Sequence, residues 1–312
     1  MRKCLIAIFT ALCIVLTGCS GANQPQEDSK PDPDEKIVEL SKKDLNDYSW
    51  DELSQISDRI ASAKDDEEAT KIAKSFGLME DDGSLTTQQK MIVLDDTTAV
   101  DVRLAGIRHD DKADGTGKAG LTFMTVGAVE IRAMNADATV EGGWEACEMR
   151  SYLNGDFKKR LDKDLEEAIV PVTKFTNNKG FTLEVGDVTP TQDDVWLYSA
   201  REVCGDMHWD LDEYRGRMGW HEPDAVLNAE GEQYQVFREA GVSCSSDPQG
   251  FLSLADSTGA SPWWYRTPYP FEWEVAGPTG NTGFFCQVRE SGYPESLGSP
   301  DVPAAVVIGF SV

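Results

Sequence analysis

The chain has 312 residues, with 55 Asp and Glu against 29 Lys and Arg, and a net charge of −26. Such a balance argues against nucleic acid as a partner, because affinity there comes mainly from cations neutralising phosphate. It also disfavours contact with anionic headgroups, and it leaves cation binding to a loop with clustered oxygens.

The first residues set the expected address. Arg2 and Lys3 precede the apolar run Cys4-Leu-Ile-Ala-Ile-Phe-Thr-Ala-Leu-Cys-Ile-Val-Leu16, and Leu16-Thr-Gly-Cys19 follows. A basic start, a short apolar region and small residues at the cut describe a signal peptide over 1–18. The apolar run falls short of the ~20 residues needed to span a bilayer. Its end looks like a bacterial lipobox, which implies acylation of Cys19 and cleavage before it. Two or more acyl chains on Cys19 would make a stable anchor. Residues 19–36 contain three prolines and many charges and no aromatic, so they are expected to form a disordered acidic tether.

Residues 37–80 read as a helical hairpin. Ser49-Trp-Asp-Glu52 is a capping box, and Leu53, Ile56 and Ile60 recur at helical spacing. Asp65-Asp66 precedes Ala69, Ile72, Ala73 and Phe76, and Gly77 is placed to stop that helix. From residue 90 the period changes. Met91–Leu94 and Ala99–Ile107 predict a β-hairpin around a polar turn, and Leu121–Val126 a further strand. Trp144, Met149, Tyr152 and Leu153 fit one helical face, and a helix is expected to end at Val170 before Pro171. Strands are expected at Val172–Phe175, Val195–Tyr198, Phe284–Val288 and Ala304–Phe310, with a short helix over Glu232–Ala240. Strands and helices alternate without βαβ spacing. The expected class for 90–312 is therefore α+β: a mixed, mainly antiparallel sheet with short helices, preceded by the helical hairpin.

With Cys4 and Cys13 in the signal peptide and Cys19 acylated, Cys147, Cys204, Cys244 and Cys286 remain. An even number in an exported chain predicts disulfides, with the pairing open.

Several blocks occur in a fixed order: Gly142-Gly-Trp144, Glu148-Met-Arg-Ser-Tyr-Leu-Asn154, Asp194-Val-Trp-Leu-Tyr-Ser199, Glu202-Val203, Trp263-Trp-Tyr-Arg-Thr-Pro268 and Val302-Pro-Ala-Ala-Val-Val-Ile308. Together they resemble a bacterial domain-of-unknown-function family, the one numbered 6273. The His109-Asp110 loop and Leu121-Thr-Phe123 are similar to its opening. Asp301 departs from the glycine usual before Val-Pro. The family implies no chemistry. Its late aromatic–Arg block and closing strand are loosely similar to C-type-lectin-like folds, a likeness of fold and not of function.

Trp263, Trp264, Tyr265 and Arg266 form the densest aromatic cluster, continued by Tyr269, Phe271 and Trp273. Exposed rings with an arginine suit stacking on a sugar or a protein hot spot. Alternation would place Trp263 and Tyr265 on one face and Trp264 and Arg266 on the other. The cluster is therefore the expected ligand-binding surface, provided that its rings reach solvent. Other motifs are weaker. A calcium loop starting at Asp110 would need ligands where Lys112 and Leu121 stand. Glu222-Pro-Asp224 matches a lectin tripeptide without its Trp-Asn-Asp partner. Cys204, His208, His221 and Cys244 lack the spacing of zinc frameworks. No metal or cofactor is expected.

The expectation is a lipid-anchored extracytoplasmic protein with a non-catalytic binding domain for a glycan or protein ligand. It would hold the membrane through its acylated terminus and bind no nucleic acid. The alternative is a secreted envelope or glycan hydrolase.

Overall fold

Ser49 begins the first helix, α1 (Trp50–Ala61), as a full capping box. Its Oγ accepts from Glu52 N–H at 3.1 Å, and the Glu52 carboxylate accepts from Ser49 N–H at 2.9 Å. These contacts satisfy two backbone donors that a helix start leaves orphaned. Asp65 caps α2 (Asp66–Ser75) by a single contact, its carboxylate accepting from Glu68 N–H at 2.8 Å. Gly77 ends α2 at φ +72, where a left-handed residue lets Leu78 N–H reach Ala73 O at 3.0 Å. A computed structural model describes residues 40–95, 98–207, 224–256, 259–271 and 283–312. Cys19, the tether, His208, His221, Glu222, Pro223 and Trp273 lie outside the described residues. The described elements all belong to one compact unit, Leu40–Val312.

The strands are β1 (Lys90–Leu94), β2 (Thr98–Ile107), β3 (Leu121–Thr125), β4 (Glu130–Arg132), β5 (Val172–Asn177), β6 (Val188–Asp193), β7 (Val195–Leu197), β8 (Ala255–Asp256), β9 (Gly259–Ala260), β10 (Trp263–Pro268), β11 (Phe285–Val288), β12 (Ser296–Gly298), β13 (Ala304–Val306) and β14 (Ile308–Ser311). Short helices separate them: α3 (Glu148–Tyr152), α4 (Lys163–Ala168), α5 (Ala200–Cys204), α6 (Asp224–Asn228) and α7 (Gln235–Glu239). The described residues are thus α+β.

One five-stranded sheet has the order β1-β2-β3-β14-β7 and is antiparallel throughout. The other has the order β12-β11-β10-β13-β4, with β10 and β13 parallel. β5 and β6 form a separate antiparallel pair. The apolar tail expected as one strand is two. β13 serves the second sheet and β14 the first, and the chain changes sheet at Val307. An apolar run buried on both faces shows no period that would mark such a break.

The hairpin α1–α2 shares its core with the sheets. Leu53, Ile56 and Ile60 are fully buried with Val102, Phe123 and Phe310. Trp50 meets Phe123 and Phe310 edge-on at 5.3 and 5.7 Å. Ser57, buried on α1, donates to Val312 O and accepts from Leu121 N–H at 3.0 Å. Gly120 runs beside Ser57, where a Cβ would lie 2.0 Å from Ser57 O. No helix among the described residues is long and apolar enough to cross a membrane.

The aromatic cluster is a correction to the sequence reading. Trp263, Trp264, Tyr265 and Arg266 are at most 1% exposed, because they form β10, the middle strand of the second sheet. Both of its faces are covered, and the polar tips turn inward. Trp263 Nε1 donates to Leu252 O, Trp264 Nε1 to Arg132 O and Tyr265 OH to Pro294 O. Tyr269 is buried too, and Phe271 packs against the core. The alternation holds, with Trp263 and Tyr265 touching edge-on at 5.2 Å. Trp263, Trp264, Tyr265 and Arg266 therefore offer no surface for a ligand to stack on.

The four cysteines are a second correction. Cys147, Cys204, Cys244 and Cys286 are buried thiols and not bridges. Cys147 Sγ donates to Met134 O, and Cys204 Sγ lies 3.6 Å from Tyr265 OH. Burial pushes the Cys147 thiol up to about 12, and those of Cys204 and Cys286 further up. Thiols held protonated this way are poor nucleophiles. Alkylation of the unreduced protein is expected to spare all four in the native state and to label all four after denaturation, read by peptide mass spectrometry. A bridged peptide among them would contradict the thiol arrangement.

Candidate functional site

The strongest concentration of chemistry lies where β5, β10, α5 and the start of α7 meet. Ser199 caps α5 with a second capping box, closed by Glu202. Glu202 is thereby fixed on the first turn, 3% exposed. Its carboxylate accepts from Ser199 N–H at 3.0 Å, from Arg266 Nη1 at 2.5 Å and Nη2 at 2.9 Å, and from Lys174 Nζ at 2.9 Å. This forked arginine contact is the geometry in which a guanidinium binds a carboxylate most strongly.

Arg266 uses its whole fork inside the protein. Nε donates to Thr176 Oγ1 at 2.8 Å and Nη1 also to Leu197 O at 2.8 Å. Nη2 adds Phe175 O and Glu230 O. Lys174 spends its three donors on Asp110 at 2.5 Å, Glu202 and Tyr234 OH at 2.5 Å. Its ammonium also sits 4.3 Å from the Trp196 ring centroid. Asp110 further accepts from Tyr234 OH at 2.6 Å and from Thr122 Oγ1 at 2.6 Å. Two carboxylates thus face two cations out of water, which is how buried charge is tolerated.

Glu230 is the group left over. Asn177 N–H donates to one oxygen at 2.9 Å and Thr267 Oγ1 to the other. No cation is paired with it among the described residues, since Arg266 is bound to Glu202 and touches only the Glu230 carbonyl. Burial raises its pKa to about 7, against the lowering effect of Arg266. Burial pushes Asp110 and Glu202 upward as well. The charges of Lys174 and Arg266 override it and hold both below the usual carboxylate range.

Above this network opens a cavity of about 210 Å³. Asp110, Lys174, Glu202 and Glu230 are at its floor, and His109, Asp111, Lys118, Phe175 and Glu232 around it. Phe175 stands at the lip, 44% exposed. His109 stacks on Tyr234 with centroids 3.7 Å apart. Burial lowers the His109 pKa, which favours the neutral imidazole.

The arrangement defines an α+β domain with a compensated charge network beneath a small polar cavity. The chain belongs to the domain-of-unknown-function family DUF6273, whose pattern matches residues 90–284, more than half of its length. Comparison with curated proteins and with solved structures gives no match. The strands beyond the family match are not appendages. β14 lies between β3 and β7, and β13 beside β10, so both sheets need them.

Of the residues expected to carry the site, only Arg266 belongs to this network, as a buried clamp and not a surface contact. Asp110, Lys174, Glu202, Glu230 and Tyr234 were missed. Two signals pointed at them: the resemblance blocks include His109-Asp110 and Glu202, and Ser199-x-x-Glu202 is a capping box. The loop read against calcium is a turn in which Asp114 accepts from Thr116 N–H and Oγ1.

Proposed function

We propose that the chain is a lipid-anchored extracytoplasmic binding module that takes a small polar ligand, of glycan class, over this cavity. The observation that carries the reading is the state of the floor. Glu202 and Asp110 already accept several hydrogen bonds each from within the protein, so neither is placed to act as nucleophile or base. A rigid, internally paired floor suits recognition, because little reorganises when a ligand arrives. Phe175 at the lip supplies an apolar face for a sugar ring, and Asp111, Lys118 and Glu232 supply polar contacts around it. The anchor part of the proposal is supported by Leu16-Thr-Gly-Cys19.

A glycan array with the full-length protein tests the reading. Phe175→Ala is expected to weaken a captured glycan by about tenfold or more, the scale of a binding hot spot, with the melting temperature unchanged. Glycan capture unaffected by Phe175→Ala would reject the site. One observation favours the hydrolase instead: a carboxyl titrating near neutrality, Glu230, lines the cavity. New reducing ends on incubation with the captured glycan, lost in Glu230→Gln, would replace binding by hydrolysis.

A further inference from the structure

A second cavity, of about 290 Å³, lies between β2, α7 and the segment 84–87, and it shares no lining residue with the first. Arg103 of β2 enters it, half-buried. The guanidinium carbon stands 4.9 Å from the Phe251 ring centroid, within cation–π range. Its Nε is out of contact with solvent and has no hydrogen-bond partner. Among the described residues no carboxylate pairs with Arg103, in a chain with 55 acidic side chains. The strongly buried cations are paired or bonded: Arg266 and Lys174 to Glu202, and Lys90 to Tyr48 O. Burial lowers the Arg103 pKa.

A guanidinium nitrogen taken out of water without a partner costs stability. A chain this acidic has ample means to pair it and leaves it open. Ser84, Thr86, Thr87 and Gln249 contribute hydroxyls and an amide to the lining, beside the apolar Leu85, Val236 and Ala240. Glu239 also lines the cavity, but its carboxylate is engaged by Leu85 N–H at 3.1 Å and Gln235 Nε2 at 2.7 Å. Its charge still opposes a dianion more than a monoanion.

We propose that this cavity is a binding site for a carboxylate, on a free small acid or carried by an acidic sugar, with Arg103 as its anchor. The planar, singly charged carboxylate matches the fork of Arg103, and Glu239 disfavours phosphate. The site is independent of the glycan cavity, so either can fail alone.

Calorimetric titration of the full-length protein with acetate, glucuronate and inorganic phosphate tests the proposal. Acetate and glucuronate are expected to bind saturably, at one site, and phosphate at least about tenfold more weakly. Binding of acetate alone assigns the free acid, and tighter binding of glucuronate assigns the acidic sugar. Arg103→Met keeps the aliphatic stem over Phe251 and removes the charge. It is expected to abolish binding and to leave the melting temperature equal or higher, because an uncompensated charge has gone. Arg103→Lys, a charge without the fork, should bind about tenfold more weakly than wild type. Three results would each overturn the proposal: no saturable carboxylate binding, binding that survives Arg103→Met, or a melting temperature that falls in Arg103→Met, which would make Arg103 a structural residue. Phe175→Ala serves as the control and should leave acetate binding intact.

Discussion

Arg266→Met is expected to destabilise the domain by about 3–5 kcal/mol, the cost of removing one partner from a buried ion pair. The reason is what remains. Glu202 would keep Lys174 and Ser199 N–H but lose both guanidinium contacts, while Asp110 draws on the same lysine. The carbonyls of Leu197, Phe175 and Glu230 would also lose a donor each. Urea unfolding at neutral pH measures the cost. Adding Glu202→Gln to Arg266→Met removes the stranded charge and is expected to recover part of the loss. A single-variant cost below about 1 kcal/mol, the scale of an exposed pair, would mean that the network does not hold the fold. A surface role for Arg266 would give that small value, so the measurement also tests whether the aromatic–Arg block is core.

The second large effect is on pH. Glu230 has a folded pKa of about 7, above the ordinary 4.5. A carboxyl raised in this way binds its proton more tightly when folded. Its favourable contribution is therefore complete below about pH 4.5 and is lost as pH rises through 7. The full swing is about 3 kcal/mol. Asp110 and Glu202 act in the opposite sense and at lower pH. Their depressed values stabilise the fold above the ordinary carboxylate range, and that stability is lost on acidification. His109, lowered by burial, gains stability as pH rises toward its ordinary 6.5, so it partly masks the Glu230 slope in wild type. The difference between wild type and Glu230→Gln isolates it. Glutamine cannot ionise, so relative to wild type it should gain stability steadily between about pH 4.5 and 7.5. A difference that is flat across that window would show that Glu230 is ionised throughout and not raised.

Local signals were readable in the residues themselves. The Ser49–Glu52 capping box, the Asp65 cap, Gly77 as a stop and the β1–β2 hairpin all depend on neighbours three or four residues away or on a period of two. The absence of βαβ spacing likewise yielded the α+β class. Where the sequence reading erred, long-range covering was the cause. The aromatic block has the alternation of a strand, yet whether its rings meet solvent depends on what packs against the two faces of the sheet in which β10 is the middle strand. Cysteine number and an export signal predicted bridges, but pairing depends on where the folded chain places each sulfur.

The same distinction separates the network from its sequence. Composition established a very acidic chain, and for that reason no single Asp or Glu stood out among 55. Only the tertiary structure decided which of them lost water. Asp110, Lys174, Glu202, Glu230 and Arg266 come from five segments, and folding brings them within hydrogen-bonding distance of shared partners. Burial makes each charge demand a partner, so the pairing is dictated by desolvation and not by spacing along the chain. Arg103 shows the converse, since a guanidinium nitrogen without a partner stands out only once the fold has taken it out of water.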